Sequence, residues 1–163
     1  MRKLALLVTG LAAIGSIGAC SQSPDVPAIS APPVELRVRV SDSVLVFGKI
    51  DTIRVIIKNT LTIAIRLPFS TQCQDRVFIR NSANNVVLPA SGSYVCAPVT
   101  SQLNIAAGDS VVRLYEWTGG QTFLPPDPSA KLPTGRYLVS ATLQATDYSV
   151  DAFPVAIRLA TSR

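Results

Sequence analysis

Three features of the sequence predict an all-β domain. Apolar residues recur at every second position in several segments, which is the period of a half-buried strand. Twelve prolines and nine glycines among 163 residues mark turns between short runs. No segment carries a sustained 3.6-residue apolar pattern of the kind that predicts a helix. About seven to nine short strands favour an immunoglobulin-like antiparallel β-sandwich, with a small closed barrel as the alternative.

The first 19 residues have the features of an export signal. Arg2 and Lys3 form a short basic region, and residues 4–19 carry no charge. This stretch is shorter than the roughly 20 apolar residues of a membrane-spanning helix. It closes on Ile17-Gly18-Ala19-Cys20, which resembles the lipobox of bacterial lipoproteins. The resemblance implies cleavage before Cys20 and acylation of this cysteine; an ordinary signal peptide with an incidental cysteine is the alternative.

Residues 20–33 predict a lipidated cysteine followed by a disordered tether. Four prolines and three serines lie between residues 21 and 33, a composition typical of an extended spacer. The alternative is a first edge strand with proline at its ends. In lipoproteins of two-membrane bacteria, Asp after the modified cysteine retains the protein at the inner membrane. Here that residue is Ser21, so the resemblance implies an anchor in the outer membrane.

From Val34 onward the chain predicts one β-sandwich domain, residues 34–163. Val34, Leu36, Val38 and Val40 alternate with charged residues, which predicts the first strand. The same reasoning predicts strands at 53–57, 61–67, 76–80, 111–117, 137–143 and 153–159, with shorter ones at 44–47, 86–88 and 94–96. Turn residues such as Asn59-Thr60 and Gly119-Gly120 separate these segments.

Two cysteines remain once Cys20 is assigned to the lipid. An exported protein occupies a compartment where disulfides persist, so we expect a Cys73–Cys96 bond. Closing this loop would contribute about 3 kcal/mol on chain-entropy grounds. A metal or redox role is disfavoured because no CxxC spacing and no histidine accompany the pair.

Three motifs resemble the intracellular proteinase inhibitor (BsuPI) domain family. They are Val55-Ile-Ile-Lys-Asn59-Thr60, Ile105-Ala-Ala-Gly108-Asp109-Ser110 with the strand ending in Trp117, and Leu132-Pro133-Thr134-Gly135-Arg136-Tyr137. The resemblance covers about residues 50–145. It implies an immunoglobulin-like sandwich and proteinase inhibition. Ala107 departs from the family's usual proline, and the export signal departs from an intracellular location.

The composition argues against several function classes. There is no histidine, which removes Ser–His–Asp and Cys–His catalysis and His-ligated zinc. Without the signal, the net charge falls from +5 to +3, and the remaining basic residues are dispersed. A nucleic-acid surface would need a basic patch, so that class is rejected. We expect no enzyme and no cofactor.

Two functions remain, and both use an exposed segment. The first is a non-enzymatic cell-envelope lipoprotein that displays a protein-binding or structural module. The second, implied by the resemblance, is a proteinase inhibitor. The candidate binding loop is residues 121–128, where proline stiffens a segment that displays apolar side chains: Phe123, Leu124, Pro125, Pro126 and Asp127. The disulfide-closed segment 73–96 is the second candidate. Carriage of a hydrophobic ligand is a third idea; the oligomeric state is left open.

Overall fold

The computed structural model describes residues 33–123 and 131–161 and shows an all-β fold in these residues. Eleven strands follow one another in this part of the chain: β1 (Val34–Val40), β2 (Val44–Val46), β3 (Asp51–Asn59), β4 (Ile65–Phe69), β5 (Asp75–Asn81), β6 (Val86–Leu88), β7 (Ser101–Ile105), β8 (Ser110–Trp117), β9 (Gly135–Gln144), β10 (Ser149–Asp151) and β11 (Val155–Ala160). The predicted all-β class is confirmed. The short strands β2 and β6 lie where the sequence predicted them, and the number of strands exceeds seven to nine because β7 and β10 were not predicted.

The strands form two main sheets and a separate two-stranded sheet. One sheet has the order β1-β3-β8, and the other has the order β2-β11-β9-β5-β6, with β10 added beside β9. The strands β4 and β7 pair separately. All pairings are antiparallel except that between β11 and β2, which is parallel. This is the two-sheet arrangement of an immunoglobulin-like sandwich.

The core lies between the two main sheets and follows the predicted alternation. In β1, Val34, Leu36 and Val38 are buried, and every second residue of β3 is also buried. These side chains meet apolar residues of the other sheet, including Val77, Val139 and Leu143. Because successive side chains of a strand point to opposite faces, the intervening charged residues lie on the outside.

One predicted strand, at residues 61–67, is wrong in its first half. Residues 61–63 form a bend, and β4 begins at Ile65. The cause is the side chain of Asn59, which accepts a hydrogen bond from the Leu61 amide and donates one to the Ile63 carbonyl. These bonds hold the chain in a turn, and Ile63 is left exposed. Ile63 fits the alternating pattern of a strand, but the hydrogen bonds of Asn59 hold residues 61–63 in a turn instead.

Two further differences concern one predicted strand that does not form and one that begins later than predicted. Residues 94–96 form no strand, and their place is taken by an irregular loop described below. At the last strand, Phe153 lies outside β11 and is 92% exposed, although the alternation predicted it to face the core. Residues 152–154 connect β10 to β11, so the strand period does not extend through them.

The structure explains why the turn predicted after β8 needs glycine at position 119. This residue has φ of +87°, and a Cβ there would lie 2.7 Å from a terminal carbon of Leu159. Glycine removes both the steric clash and the strain of the left-handed backbone. The turn also allows the buried Trp117 indole nitrogen to donate to the Gly120 carbonyl at 2.7 Å.

Candidate functional site

A disulfide bond joins the start of β5 to an irregular loop, residues 89–100. Cys73 and Cys96 are bonded, as the sequence predicted, with their Cα atoms 5.7 Å apart. The loop follows the short strand β6 and precedes β7, and it has no strand pairing of its own. The bond therefore fixes a segment that the sheet does not hold.

Both neighbours of Val95 are tied to the body of the domain. On one side, the Tyr94 hydroxyl donates to the carbonyl of Val77 at 2.5 Å, and the Tyr94 ring packs edge-on against Phe78 at 5.5 Å. On the other side, Cys96 carries the disulfide, and the next carbonyl, that of Ala97, accepts from the Gln72 amide. The backbone on each side of Val95 is thus anchored at separate points.

The Val95 side chain itself is 96% exposed. Val99, at the far end of the same loop, is 58% exposed. An isolated exposed aliphatic side chain is common on protein surfaces. What distinguishes Val95 is that its position is fixed by its neighbours while the side chain contacts solvent. Such a residue can be buried by a partner with little loss of conformational freedom.

A polar pocket of about 560 Å³ lies beside the disulfide. Its lining comprises Gln72, Cys73, Gln74, Asp75, Tyr94, Arg113 and Tyr115. The Tyr115 hydroxyl donates to the Asp75 carboxylate at 2.7 Å. Arg113 places Nε 4.0 Å from the same carboxylate and donates from Nη2 to Gln74 Oε1 at 2.9 Å. These contacts join β8 of one sheet to the start of β5 in the other.

The two tyrosines of this pocket remain protonated at neutral pH. Burial raises the pKa of Tyr94 to about 12, with the negative charge of Asp75 adding to the effect. Burial also raises the pKa of Tyr115, and Asp75 next to its hydroxyl raises it further. Each hydroxyl is therefore a hydrogen-bond donor over the physiological range, and both donate within the protein. The pocket can recognise a polar group, while its tyrosines are fixed in place.

One residue of the predicted binding loop, Phe123, reaches the same end of the sandwich. Phe123, which the sequence predicted to be displayed, is half-buried and packs on Tyr115 with ring centroids 5.3 Å apart. Through Tyr115 and Asp75, it connects to the segment that carries Cys73. Leu124, Pro125, Pro126 and Asp127 lie outside the described residues, as does Cys20.

Neither metal-binding clusters nor spanning helices are found in the described parts of the chain. Within residues 33–123 and 131–161, no group of three or more His, Cys, Asp or Glu side chains is close enough to hold a metal ion. In the same residues, no helix is long and apolar enough to cross a membrane.

Sequence reasoning missed four residues of this site, namely Val95, Asp75, Arg113 and Tyr115. Val95 was placed in a short strand, where its side chain would contact neighbouring residues. The signal that could have identified it is an aliphatic residue directly before a disulfide-bonded cysteine, between a serine-glycine-serine run and a proline. The contacts of Tyr115 and Arg113 with Asp75 connect residues 40 and 38 positions apart, which no local pattern reveals.

The sequence matches no family model and no curated protein. Similar solved structures include a CARDB domain from Pyrococcus furiosus in complex with di-metal ions, with a TM-score of 0.46 and 15% identity over 78% of this chain and 89% of that chain. A β-glucosidase from Erythrobacter marinus gives 0.43 and 12% over 78% of this chain, and the alkylpurine DNA glycosylase AlkC of Pseudomonas fluorescens gives 0.44 and 12% over 78%. The chain spans 16% and 30% of those two proteins. The class of the protein is thus defined by its own strand order as an all-β, immunoglobulin-like sandwich.

Proposed function

We propose that this protein is a non-enzymatic cell-envelope lipoprotein whose sandwich binds another protein through the loop of residues 89–100. The observation that carries the proposal is the combination at Val95 of a fully exposed aliphatic side chain with two anchored neighbours. The proposal gives the domain a binding role and no catalytic one. It agrees with the lack of histidine, which removes Ser–His–Asp and Cys–His catalysis.

The energetic argument rests on preorganisation. Burying a valine side chain in a partner's pocket stabilises a complex by about 1.5 kcal/mol or more. A flexible loop would lose part of that gain in the entropy of ordering its backbone and side chains. The disulfide and the Tyr94 hydrogen bond have already restricted this loop in the free protein. The polar pocket lined by Tyr94 and Cys73 also holds Arg113, whose guanidinium has further donors beyond the one bonded to Gln74.

A proteinase inhibitor of the BsuPI type is the second candidate, and the geometry of Val95 specifically favours it. An inhibitory loop presents one side chain to the specificity pocket of a proteinase from a backbone that resists rearrangement. Val95 satisfies that description, since Tyr94 and Cys96 are both anchored. A small aliphatic side chain would fit the small specificity pocket of an elastase-like serine proteinase.

The anchor and the location are parts of the same proposal. Acylation of Cys20 by more than one chain would hold the protein stably on a membrane, whereas a single chain binds only marginally. Ser21 after the cysteine supports the outer membrane over the inner one. A labelled fatty acid supplied to cells should be incorporated into the wild-type protein and not into Cys20→Ala, and equal incorporation into both would contradict the lipid anchor.

A crosslinking experiment tests the binding loop in the full-length lipoprotein. A photocrosslinking amino acid is introduced at position 95 or, as a control, at exposed Ser82 in the turn between β5 and β6. We expect one adduct specific to position 95 that Val95→Asp reduces at least tenfold in competition and Ser82→Asp does not. If both positions give the same adducts, the loop is not the binding surface.

The inhibitor alternative has its own test. The purified mature protein is assayed against serine proteinases with elastase-like, trypsin-like and chymotrypsin-like specificity. Inhibition of the elastase-like group that Val95→Asp abolishes would support the alternative. Absence of inhibition at micromolar concentration would remove it and would leave the protein-binding proposal intact.

A further inference from the structure

The outward face of the sheet β1-β3-β8 combines arginines with exposed aliphatic residues. We call this surface the outer face and define it by its outward charged and large apolar residues, in which four basic side chains outnumber two acidic ones: Glu35, Arg37, Arg39, Arg54, Ile56, Lys58, Val112, Leu114 and Glu116. On β1 and β3 these residues alternate with buried ones, and on β8 they alternate with Arg113, Tyr115 and the buried Trp117, so they point away from the core. The pairing register fixes which of them are neighbours.

The register places two arginines directly opposite each other. Arg39 on β1 is the partner of Arg54 on β3, and Arg54 is in turn opposite Leu114 on β8. Like charges in directly opposed positions destabilise a sheet. Arg37 Nε lies 2.6 Å from Glu35 Oε1, and this ion pair is the neighbour of Arg39 on the same face of β1, two residues earlier in the strand. An anion bound from outside would relieve the repulsion between Arg39 and Arg54.

The aliphatic part of the outer face lies along β8. Val112 is 51% exposed and Leu114 is 63% exposed, with Ile56 opposite Val112. The other sheet provides a comparison, since Arg136 on β9 is directly opposite Arg158 on β11. Of the large hydrophobic residues that are exposed in the described part of the chain, none lies on β5, β9 or β11. The two faces therefore share an arginine pair and differ in their apolar residues.

The N-terminal segment joins the domain in the sheet that carries the outer face. Val34 is the first residue of β1, which belongs to the same sheet, and it follows Cys20 by 14 residues. A chain of that length spans at most about 45–50 Å when fully extended. A membrane that holds acylated Cys20 would therefore be within reach of the sheet that begins at Val34.

We infer that the outer face binds the anionic surface of a phospholipid membrane. Guanidinium groups at Arg39 and Arg54 bind lipid phosphates, for which their planar donors are suited. Val112 and Leu114 enter the interfacial region beside them. The inference uses the anchor of the proposed function only to bring the membrane near, and it is independent of the loop at Val95.

The test uses the full-length chain with Cys20→Ser, so that the single introduced thiol can be labelled. Leu114→Cys carries a polarity-sensitive bimane probe, and Ala156→Cys, exposed on β11, carries the same probe as a control. Each protein is reconstituted into vesicles of phosphatidylcholine alone or phosphatidylcholine with phosphatidylglycerol. The apolar N-terminal segment is identical in all samples, so any difference between probe positions reports on the domain.

We expect a blue shift of the probe at position 114 in the phosphatidylglycerol vesicles, reversed by high salt, and no shift at position 156. Arg39→Gln with Arg54→Gln should weaken the contact about 30-fold, given roughly 1 kcal/mol for each basic residue near an anionic surface. Arg136→Gln with Arg158→Gln, which removes the same charge from the other face, should leave the shift unchanged. Equal shifts in both lipids, equal loss with both pairs, or no shift at all would overturn the inference. Fluorescence of buried Trp117 verifies that each variant is folded.

Discussion

Replacing Asn59 by alanine should cost more stability than almost any other single change of a polar residue in this domain. Asn59 is fully buried at the end of β3. Its amide nitrogen donates to the carbonyls of Ile63 at 2.8 Å, Ala106 at 2.9 Å and Ile105 at 3.2 Å, and its oxygen accepts from the Leu61 amide at 2.9 Å. One side chain thus joins three segments of the backbone.

The magnitude follows from the number of these bonds. Each hydrogen bond contributes about 1 kcal/mol net, and a buried group that loses its partner adds a desolvation cost. The two hydrogens of the amide nitrogen make the short bonds to Ile63 and Ala106, with Ile105 sharing one of them, so alanine would remove three full hydrogen bonds, and we expect a loss of about 3–4 kcal/mol in the free energy of unfolding. This is a large part of the roughly 5–15 kcal/mol available to a domain, and it corresponds to a Tm lower by roughly 10 °C.

Urea unfolding of the mature protein, followed by Trp117 fluorescence, measures this loss. The midpoint should fall while the slope with urea stays constant, because the same surface is exposed on unfolding. Asn104→Ala is the matched control: this exposed side chain accepts one hydrogen bond, from Gln102, and its replacement should change stability by at most about 0.5 kcal/mol.

A second variant separates the donor role from the acceptor role. Asn59→Asp keeps an oxygen for the Leu61 amide and places a carboxylate oxygen against the three carbonyls. It should be at least as destabilising as alanine at pH 7 and recover in part at acidic pH, where a protonated carboxyl donates one bond. A loss below about 1 kcal/mol for Asn59→Ala would refute the view that Asn59 holds these segments together.

Two further predictions concern the disulfide and a buried carboxylate. Replacing Cys73 and Cys96 by alanine should lower the free energy of unfolding by about 3 kcal/mol and abolish the crosslink from position 95; a full-strength crosslink in this variant would contradict the role of the disulfide in positioning the loop. Asp51 is buried, and burial raises the pKa of its carboxyl above the ordinary value of 3.8 that it has in the unfolded chain. Ionised Asp51 therefore lowers the free energy of unfolding at a pH above the folded pKa, and this loss disappears at a pH below 3.8. The native protein should therefore gain stability relative to Asp51→Asn as the pH falls from 7 to 3.5, and a difference in unfolding free energy that does not vary with pH would contradict this assignment.

The sequence predicted the fold best where burial alone decides the structure. The first strand was predicted at its observed limits because Val34, Leu36 and Val38 alternate with charged residues, and one face of β1 packs on the core. Prediction failed at residues 61–63, where the Asn59 side chain imposes a turn on an alternating pattern. It failed again at Phe153, where a connection between strands continues that pattern. Side-chain hydrogen bonds and the connections between strands leave no periodic pattern in the sequence, so the alternation of apolar residues cannot predict them.

The candidate site was predicted only in part, for a different physical reason. The Cys73–Cys96 bond followed from the number of cysteines and the expected compartment. The exposure of Val95 depends on Tyr94 reaching Val77, a contact across 17 residues. That contact turns residues 94–96 from a predicted strand into an anchored loop. A disulfide predicted from composition thus indicated the right segment, while the residue displayed by it required the tertiary contacts.

The strand β8 connects the two proposed surfaces and allows them to be tested separately. Trp117 is buried, so alternate residues on its side of the strand, including Tyr115 and Arg113, face the interior and the polar pocket. Val112 and Leu114 point to the outer face. Substitutions on one side of the strand should therefore leave the other side in place. If Leu114→Ser changed crosslinking from position 95 as strongly as Val95→Asp does, membrane contact and partner binding would share a surface, and the assignment of separate faces would be wrong.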